Sequence, residues 1–195
     1  SCPVIDDDLD APESGCAINV WSGGRPHAAT SALRTGGTAM PSRTLKEFLD
    51  RNGVEYVTIQ HSPAYTAQGI AHSAHVSGKE MAKTTVLKRG DDLIMAVLPA
   101  NQKVDVTAFA QAIGADHVEL AKEYDFARTF TGCELGAMPP FGNLWDLPVY
   151  VSNELRDHEN ITFNAGSHVE LVRMRYDDFE RLVKPVVMED THAMM

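Results

Sequence analysis

The stretch between residues 136 and 142 constrains the fold of this chain more than any other, because two glycines and two prolines fall within it. It reads Gly136-Ala137-Met138-Pro139-Pro140-Phe141-Gly142. Each proline removes a backbone donor and fixes φ, and the glycines admit conformations that other residues avoid. The stretch is therefore predicted to be a shaped loop, either a rigid turn between two elements or a wall that directs backbone amides at a small ligand.

The segments around this loop predict an α+β domain. Apolar residues at helical spacing predict helices near 42–52, 66–74, 106–113, 122–129 and 177–183. Alternating or β-branched segments predict strands at 54–59, 82–87, 93–98, 117–120, 149–151, 161–163 and 168–172, with tight turns at 89–92 and 164–167. Because strands outnumber long helices and several are linked by hairpins, we expect a mixed, strongly curved sheet or partial barrel with surrounding helices.

The chain of 195 residues suits one domain with a sizeable core. Residues 1–40 carry an acidic run and a Gly/Ser/Thr-rich segment without periodicity, so we expect a poorly ordered extension there. The folded domain is expected at 41–186, and residues 187–195 are expected to be a polar tail.

Composition excludes several classes of protein. A formal net charge of -10 argues against a protein that coats nucleic acid through a broad basic surface. The three cysteines lack metal-type spacing, which indicates free thiols in a reducing compartment. The sequence contains neither a long apolar run nor a secretory signal, so a cytoplasmic protein without membrane contact is expected.

No nucleophile elbow, phosphate-binding loop or dinucleotide fingerprint occurs in the sequence, so no cofactor is predicted. His72 and His75 lie three residues apart and could ligate zinc with His61 or His168. Because no H-E-x-x-H or C-x-x-C motif accompanies them, we interpret both as polar positions on a half-exposed helix and predict no metal site.

Two further residues carry reactive groups near predicted strands or the loop. Cys133 could act as a nucleophile beside His168, although a small buried apolar residue is the favoured interpretation. Lys83 lies near the start of a β-branched strand, where a lysine is either a solvated edge residue or a functional cation.

A family resemblance bears on this choice. The succession of His61-Ser62-Pro63, Ala82-Lys83-Thr84, Leu98-Pro99-Ala100 and Gly132-x-x-x-Gly136, followed by the loop, resembles the YbaK/ProX family over roughly residues 41–186. Members of that family are free-standing aminoacyl-tRNA deacylases, similar to the editing insertion domain of bacterial prolyl-tRNA synthetases. The strand lysine and the G-x-x-x-P loop are the most specific parts of the match.

The resemblance implies roles for particular residues. Lys83 matches the family's active-site lysine, which holds the terminal nucleotide of the tRNA, and Gly136 opens the loop whose backbone orients the carbonyl and a water. Ala137, Met138 and Pro140 are implied to line the aminoacyl pocket. We add His61 and His168 as candidate substrate-binding residues.

The implied function is trans-editing: hydrolysis of a small, wrongly attached amino acid from tRNA, with tRNA for proline as the expected substrate. The expected partners are the acceptor end of aminoacylated tRNA and prolyl-tRNA synthetase. Such an ester is already activated, so a positioned water and an oxyanion site suffice for its hydrolysis. An acidic protein could grip the tRNA end through Lys83, helped by Lys88, Arg89 or Lys103. The alternatives are a non-catalytic module that binds a small amino acid or a tRNA end, and a metal-dependent hydrolase.

Overall fold

The computed structural model describes residues 41–61, 66–73 and 76–189. The predicted extension at 1–40 lies outside these residues, as do Ser62, Pro63, His75 and the end of the predicted tail from residue 190. In the described part of the chain, no helix has the length and apolar character that crossing a membrane requires.

The described residues form six α-helices, eight strands and a short 3₁₀ helix. The helices are α1 (Pro41–Arg51), α2 (Ala67–Ser73), α3 (Val106–Ala112), α4 (Glu123–Phe126), α5 (Asn153–Arg156) and α6 (Tyr176–Val183). The strands are β1 (Tyr56–Gln60), β2 (Ala82–Arg89), β3 (Asp92–Pro99), β4 (Glu119–Leu120), β5 (Val149–Ser152), β6 (Asn160–Ser167), β7 (Glu170–Arg175) and β8 (Val186–Met188). The 3₁₀ helix spans Gly142–Trp145.

The strands form two sheets that meet at one point. The smaller sheet is antiparallel in the order β1-β7-β6, and the larger has the order β4-β2-β3-β5-β8, with β5 parallel to both β3 and β8. A parallel bridge between Met81 and Thr162 joins β6 to the start of β2, and the Thr162 amide donates to the Glu80 carbonyl oxygen at 3.1 Å. The result is a mixed, strongly curved sheet that does not close, which confirms the expected α+β partial barrel.

The hairpin predicted at 89–92 is confirmed, since Arg89 pairs with Asp92 across β2 and β3. The tight turn predicted at 164–167 is wrong. These residues continue β6, with a register shift between Asn164 and Ser167, and the chain turns only at His168 and Val169. Gly166, with a φ of 99°, serves this bulge rather than a turn, and a bulge inserts a residue without ending the strand.

Two further elements differ from the prediction. Helix α5 was not predicted, because four residues are too few to show helical periodicity. Strand β8 takes residues 187–188 from the predicted tail and pairs them with β5. The sheet therefore extends past residue 186.

Phe141 forms the centre of the main core. Its ring is fully buried, and its centroid lies 6.0 Å from that of Phe48 on α1, 5.5 Å from Phe163 on β6 and 5.7 Å from Phe179 on α6. Such edge-to-face and tilted pairs add to the free energy gained by apolar burial. The second half of the Gly/Pro loop is thus held inside the core by the side chain of Phe141.

Alternation along β2 determines which face carries Lys83. Ala82 and Val86 point into the main core, whereas Leu87 packs with α3 on the opposite face. Successive side chains of a strand point to opposite faces, and Lys83 lies directly across from Leu98, which also packs with α3. Lys83 therefore lies on the face opposite the main core.

Gly142 marks a close approach between the loop and β5. A Cβ added to Gly142 would lie 2.6 Å from the Leu147 carbonyl oxygen and 2.6 Å from Val149 Cγ2. The Gly142 carbonyl oxygen also accepts a hydrogen bond from the Leu147 amide at 2.9 Å. Only a residue without a side chain fits this position.

We predict that Gly142→Ala destabilises the fold by about 1–3 kcal/mol, because the backbone of Leu147 must move to admit the methyl group. Gly78→Ala is the matched control, since its new Cβ would meet only Asn101 Cβ, at 3.9 Å. Urea unfolding of both variants measures the difference. Equal midpoints for the two variants would contradict the packing argument.

Candidate functional site

Lys83 opens onto a pocket of about 200 Å³ on the face of the sheet opposite the main core. Strand β2 positions the lysine, and the segment that follows β3 supplies most of the remaining wall. Besides Lys83, the lining residues are Thr66, Gln68, Ala100, Asn101, Gln102 and Lys103. The lining therefore contains two ammonium groups and several neutral polar groups, but no carboxylate.

The Lys83 ammonium donates a hydrogen bond to the Gln102 carbonyl oxygen. No ion pair within the described ranges involves Lys83, although its side chain is partly buried. Burial, and secondarily the nearby Lys103 ammonium, lower the pKa of Lys83. An ammonium held by a neutral acceptor next to a like charge favours an anionic ligand.

The Gly/Pro loop has two distinct halves. Gly136 is exposed with a φ of 80°, and its amide has no hydrogen-bond partner among the described residues. The Ala137 amide instead donates to the Glu134 carbonyl oxygen at 2.9 Å. Ala137, Met138 and Pro140 are buried, and Met138 belongs to the main core. Gly136 is therefore the exposed residue of the loop whose amide is available to a ligand, since residues 137–142 are buried.

His168 fixes the exposed end of this loop. Its Nε2 lies 2.7 Å from the Leu135 carbonyl oxygen, and its backbone amide donates to Glu134 Oε2, also at 2.7 Å. A carbonyl oxygen only accepts, so Nε2 must carry a proton. His168 Cε1 would lie 3.7 Å from a Cβ added to Gly136, an ordinary contact distance. The imidazole thus holds the peptide that precedes Gly136 in place.

His61 lies close to the same corner of the molecule. Its backbone amide donates to the Val169 carbonyl oxygen at 3.0 Å, which extends the pairing of β1 with β7 by one residue. The structure therefore brings His61, His168 and Gly136 to one end of the smaller sheet. The roles of the three residues in substrate binding stay predictions.

Asn164 is a buried polar residue of β6 close to the Met81–Thr162 bridge, and the sequence patterns did not identify it as a site residue. The bridge pairs Met81 with Thr162, and counting two residues on from each gives Lys83 on β2 and Asn164 on β6. Side chains alternate between the two faces of a strand, so Lys83 and Asn164 lie on the same face. Asn164 is 5% exposed, and its Oδ1 has no hydrogen-bond partner among the described residues. A polar residue between the apolar residues Phe163 and Ala165 was the signal that could have identified it.

The structure does not group all the predicted candidates. Residues 136–140 are not among those that line the pocket of Lys83, so the structure does not place the lysine and the loop around one pocket. His72 is exposed on α2, and no group of three or more potential metal-ligating side chains occurs in the described parts of the chain.

Two of the cations expected to help Lys83 form ion pairs with acids of this chain. Lys88 pairs with Asp125 at 3.3 Å, and Arg89 lies 3.8 Å from Asp92.

Cys133 packs against the main core and is half-buried. Burial raises the pKa of its thiol to about 11. A nucleophilic cysteine requires the thiolate, which this environment disfavours. The geometry therefore favours the interpretation of Cys133 as a small apolar residue.

A comparison with known protein families gives a match over most of the chain. The family model described as "Aminoacyl-tRNA editing domain" matches residues 61–182, which include Lys83, the Gly/Pro loop and His168. The "Multifunctional Ser/Thr-tRNA deacylase ProXp-y" of Escherichia coli K12 is 26% identical over 142 residues, covering 70% of this chain and 84% of that protein. The "Prolyl-tRNA editing protein ProX" of Acetoanaerobium sticklandii is 25% identical over 142 residues, covering 70% and 86%.

Solved structures share the fold. A crystal structure described as that of a candidate trans-editing enzyme for prolyl tRNA synthetase superposes with a TM-score of 0.66 at 18% identity. The superposition covers 80% of this chain and 98% of that one. At this identity the likeness is one of architecture.

We predict that alkylation of Cys133 by iodoacetamide at about pH 8 is roughly 100-fold slower than that of an ordinary thiol, because little thiolate is present. Cys2 and Cys16 are replaced by serine so that the measured rate belongs to Cys133, and the same variant after unfolding in urea is the control. A rate in the folded protein equal to that in urea would contradict the burial of the thiol.

Proposed function

The chain belongs to the aminoacyl-tRNA editing domain family, and on this premise we propose that it is a trans-editing hydrolase that deacylates tRNA carrying a small, wrongly attached amino acid. The proposed deacylase domain spans residues 41–186. Its ligand is the acceptor end of aminoacylated tRNA.

One observation carries the assignment of the site. The exposed Gly136 amide, without a partner among the described residues, and the Lys83 ammonium, with only a neutral acceptor, border the junction where β6 leaves β2. The first group suits an oxyanion, and the second suits a phosphate. An aminoacyl ester on a terminal nucleotide presents both kinds of charge within a few bonds.

In the proposed mechanism, Lys83 binds the phosphate of the terminal nucleotide and thereby places the ester at the loop. A water attacks the ester carbonyl, and the Gly136 amide donates a hydrogen bond to the oxyanion that develops. The bond between the carbonyl carbon and the ribose oxygen then breaks, the ribose oxygen takes a proton, and the free amino acid leaves. A hydroxyl of the terminal ribose assists the water, so no nucleophilic side chain is needed.

The remaining site residues serve this arrangement. His168 is proposed as a positioning residue, because its hydrogen bond to the Leu135 carbonyl oxygen fixes the peptide before Gly136. Ala137, Met138 and Pro140 are proposed to form the wall behind that peptide, and their burial makes the wall rigid. His61 is proposed to border the acyl side of the corner, next to Val169.

The finer assignments rest on the relatives. The name of the Acetoanaerobium sticklandii relative refers to prolyl-tRNA editing, which supports tRNA for proline as the proposed substrate, whereas the name of the Escherichia coli relative refers to Ser/Thr-tRNA. Prolyl-tRNA synthetase is the proposed partner, and the cytoplasm is the proposed location. Editing of this kind is needed because binding alone rejects a substrate smaller by one methylene by only about 1–3 kcal/mol.

We predict that Lys83→Met lowers kcat/KM for deacylation about 100-fold, because the ester is no longer held in position. The substrates are tRNA for proline charged in turn with Ala, Cys, Ser and Thr, and released amino acid is measured over time. Lys88→Met is the matched control, since it removes an ammonium from the opposite face of the same strand. Thermal unfolding verifies that both variants are folded.

Each contrary outcome selects a different explanation. Full activity of Lys83→Met would show that the lysine is misassigned. Binding of the tRNA end by the parent without turnover of any ester would select a non-catalytic module. Loss of activity to a chelator, together with bound zinc, would select a metal-dependent hydrolase.

A further inference from the structure

Lys103 shares the pocket of Lys83, and the two ammonium groups have no carboxylate beside them in the lining. Lys103 is exposed, and none of the ion pairs found within the described ranges includes it. The acid that follows it most closely in the sequence is Asp105. Its Oδ1 caps α3, accepting hydrogen bonds from the amides of Thr107 and Ala108 at 2.9 and 3.0 Å.

The other cations of β2 differ in this respect. Lys88 pairs with Asp125 and points to the opposite face, and Arg89 pairs with Asp92 at the far end of the strand. In a chain with a net charge of -10, two cations facing one pocket without an acid create a local positive potential. Lys103 is therefore the cation best placed to act together with Lys83.

We propose that Lys103 is a second phosphate-binding residue, which contacts the phosphate of the penultimate nucleotide while Lys83 contacts the phosphate of the terminal nucleotide. The proposal rests on the proposed function and extends its tRNA-end site from one cation to two. A pocket of about 200 Å³ with neutral amides from Gln68, Asn101 and Gln102 accommodates part of a single-stranded nucleotide. Lysine binds phosphate as a point charge without strict geometry, which suits a mobile RNA end.

This arrangement separates two tasks in space. The pocket of Lys83 and Lys103 holds the RNA backbone, and the corner of Gly136 and His168 receives the acyl group. Lys103 therefore contributes to binding of the RNA but not to the chemical step. Its loss raises KM and leaves kcat almost unchanged.

The test measures RNA binding directly, so it does not depend on turnover. A labelled RNA hairpin with a single-stranded CCA end and the same hairpin without that end are titrated with the parent, Lys103→Ala, Lys103→Arg and Lys122→Ala. Lys122→Ala is the matched control, because Lys122 is an exposed lysine that follows the edge strand β4 and does not line the pocket. Fluorescence anisotropy at several salt concentrations gives the affinities.

Lys103→Ala is expected to weaken binding of the CCA hairpin about 5- to 20-fold and to reduce the salt slope by about 0.7, the loss of one single-strand phosphate contact. Lys103→Arg keeps the charge and is expected to stay within about twofold of the parent, as is Lys122→Ala. With charged tRNA, Lys103→Ala is expected to raise KM by a similar factor and to keep kcat.

Three results would overturn the proposal. The first is that Lys103→Ala and Lys122→Ala bind the CCA hairpin with equal affinity. The second is that Lys103→Ala loses affinity for both hairpins by the same factor. The third is that the parent binds the two hairpins with equal affinity. A parent that binds the CCA end through Lys103 but hydrolyses no ester refutes the proposed function and supports this inference. A parent that deacylates tRNA with Lys103→Ala unchanged refutes the inference alone.

Discussion

The burial of Phe141 among Phe48, Phe163 and Phe179 is the interaction on which the site depends. These rings come from a helix at the start of the domain, a strand of the smaller sheet and a helix near its end, so the loop is fixed to three distant parts of the chain. The prolines stiffen the segment between Phe141 and the exposed Gly136, and His168 holds its outer end. A backbone amide at the surface thereby acquires the rigidity of the core, which an oxyanion site requires.

Local patterns were sufficient to predict much of the larger sheet from the sequence. The alternation on either side of Gly90 predicts the β2–β3 hairpin, and the structure pairs Arg89 with Asp92 accordingly. The Gly/Pro density also identifies residues 136–142 as a shaped loop, because these residue types restrict the backbone whatever surrounds them. A lysine within a β-branched strand could likewise be singled out, and family resemblance gave it a proposed role.

Features that depend on contacts between distant parts of the chain could not be predicted from local sequence patterns. A glycine in the stretch Asn164-Ala165-Gly166-Ser167 fits a turn and a bulge equally well, and only the pairing of β6 with β7 decides for the bulge at Gly166. The face to which Lys83 points follows from its register with Leu98 and from the position of α3. Asn164 is a candidate site residue only because the Met81–Thr162 bridge places it level with Lys83, and no local sequence pattern predicts that bridge.

The position of the Met81–Thr162 bridge between the two sheets has a consequence for how such a protein can evolve. The Gly136 and His168 corner belongs to the loop and to the β6–β7 turn, whereas Lys83 and Lys103 belong to β2 and the segment after β3. Because only the second group lines the cationic pocket, substitutions in the corner can leave the lining of that pocket unchanged. On the proposed function, a lineage can therefore exchange the amino acid that it removes while keeping its hold on the RNA end.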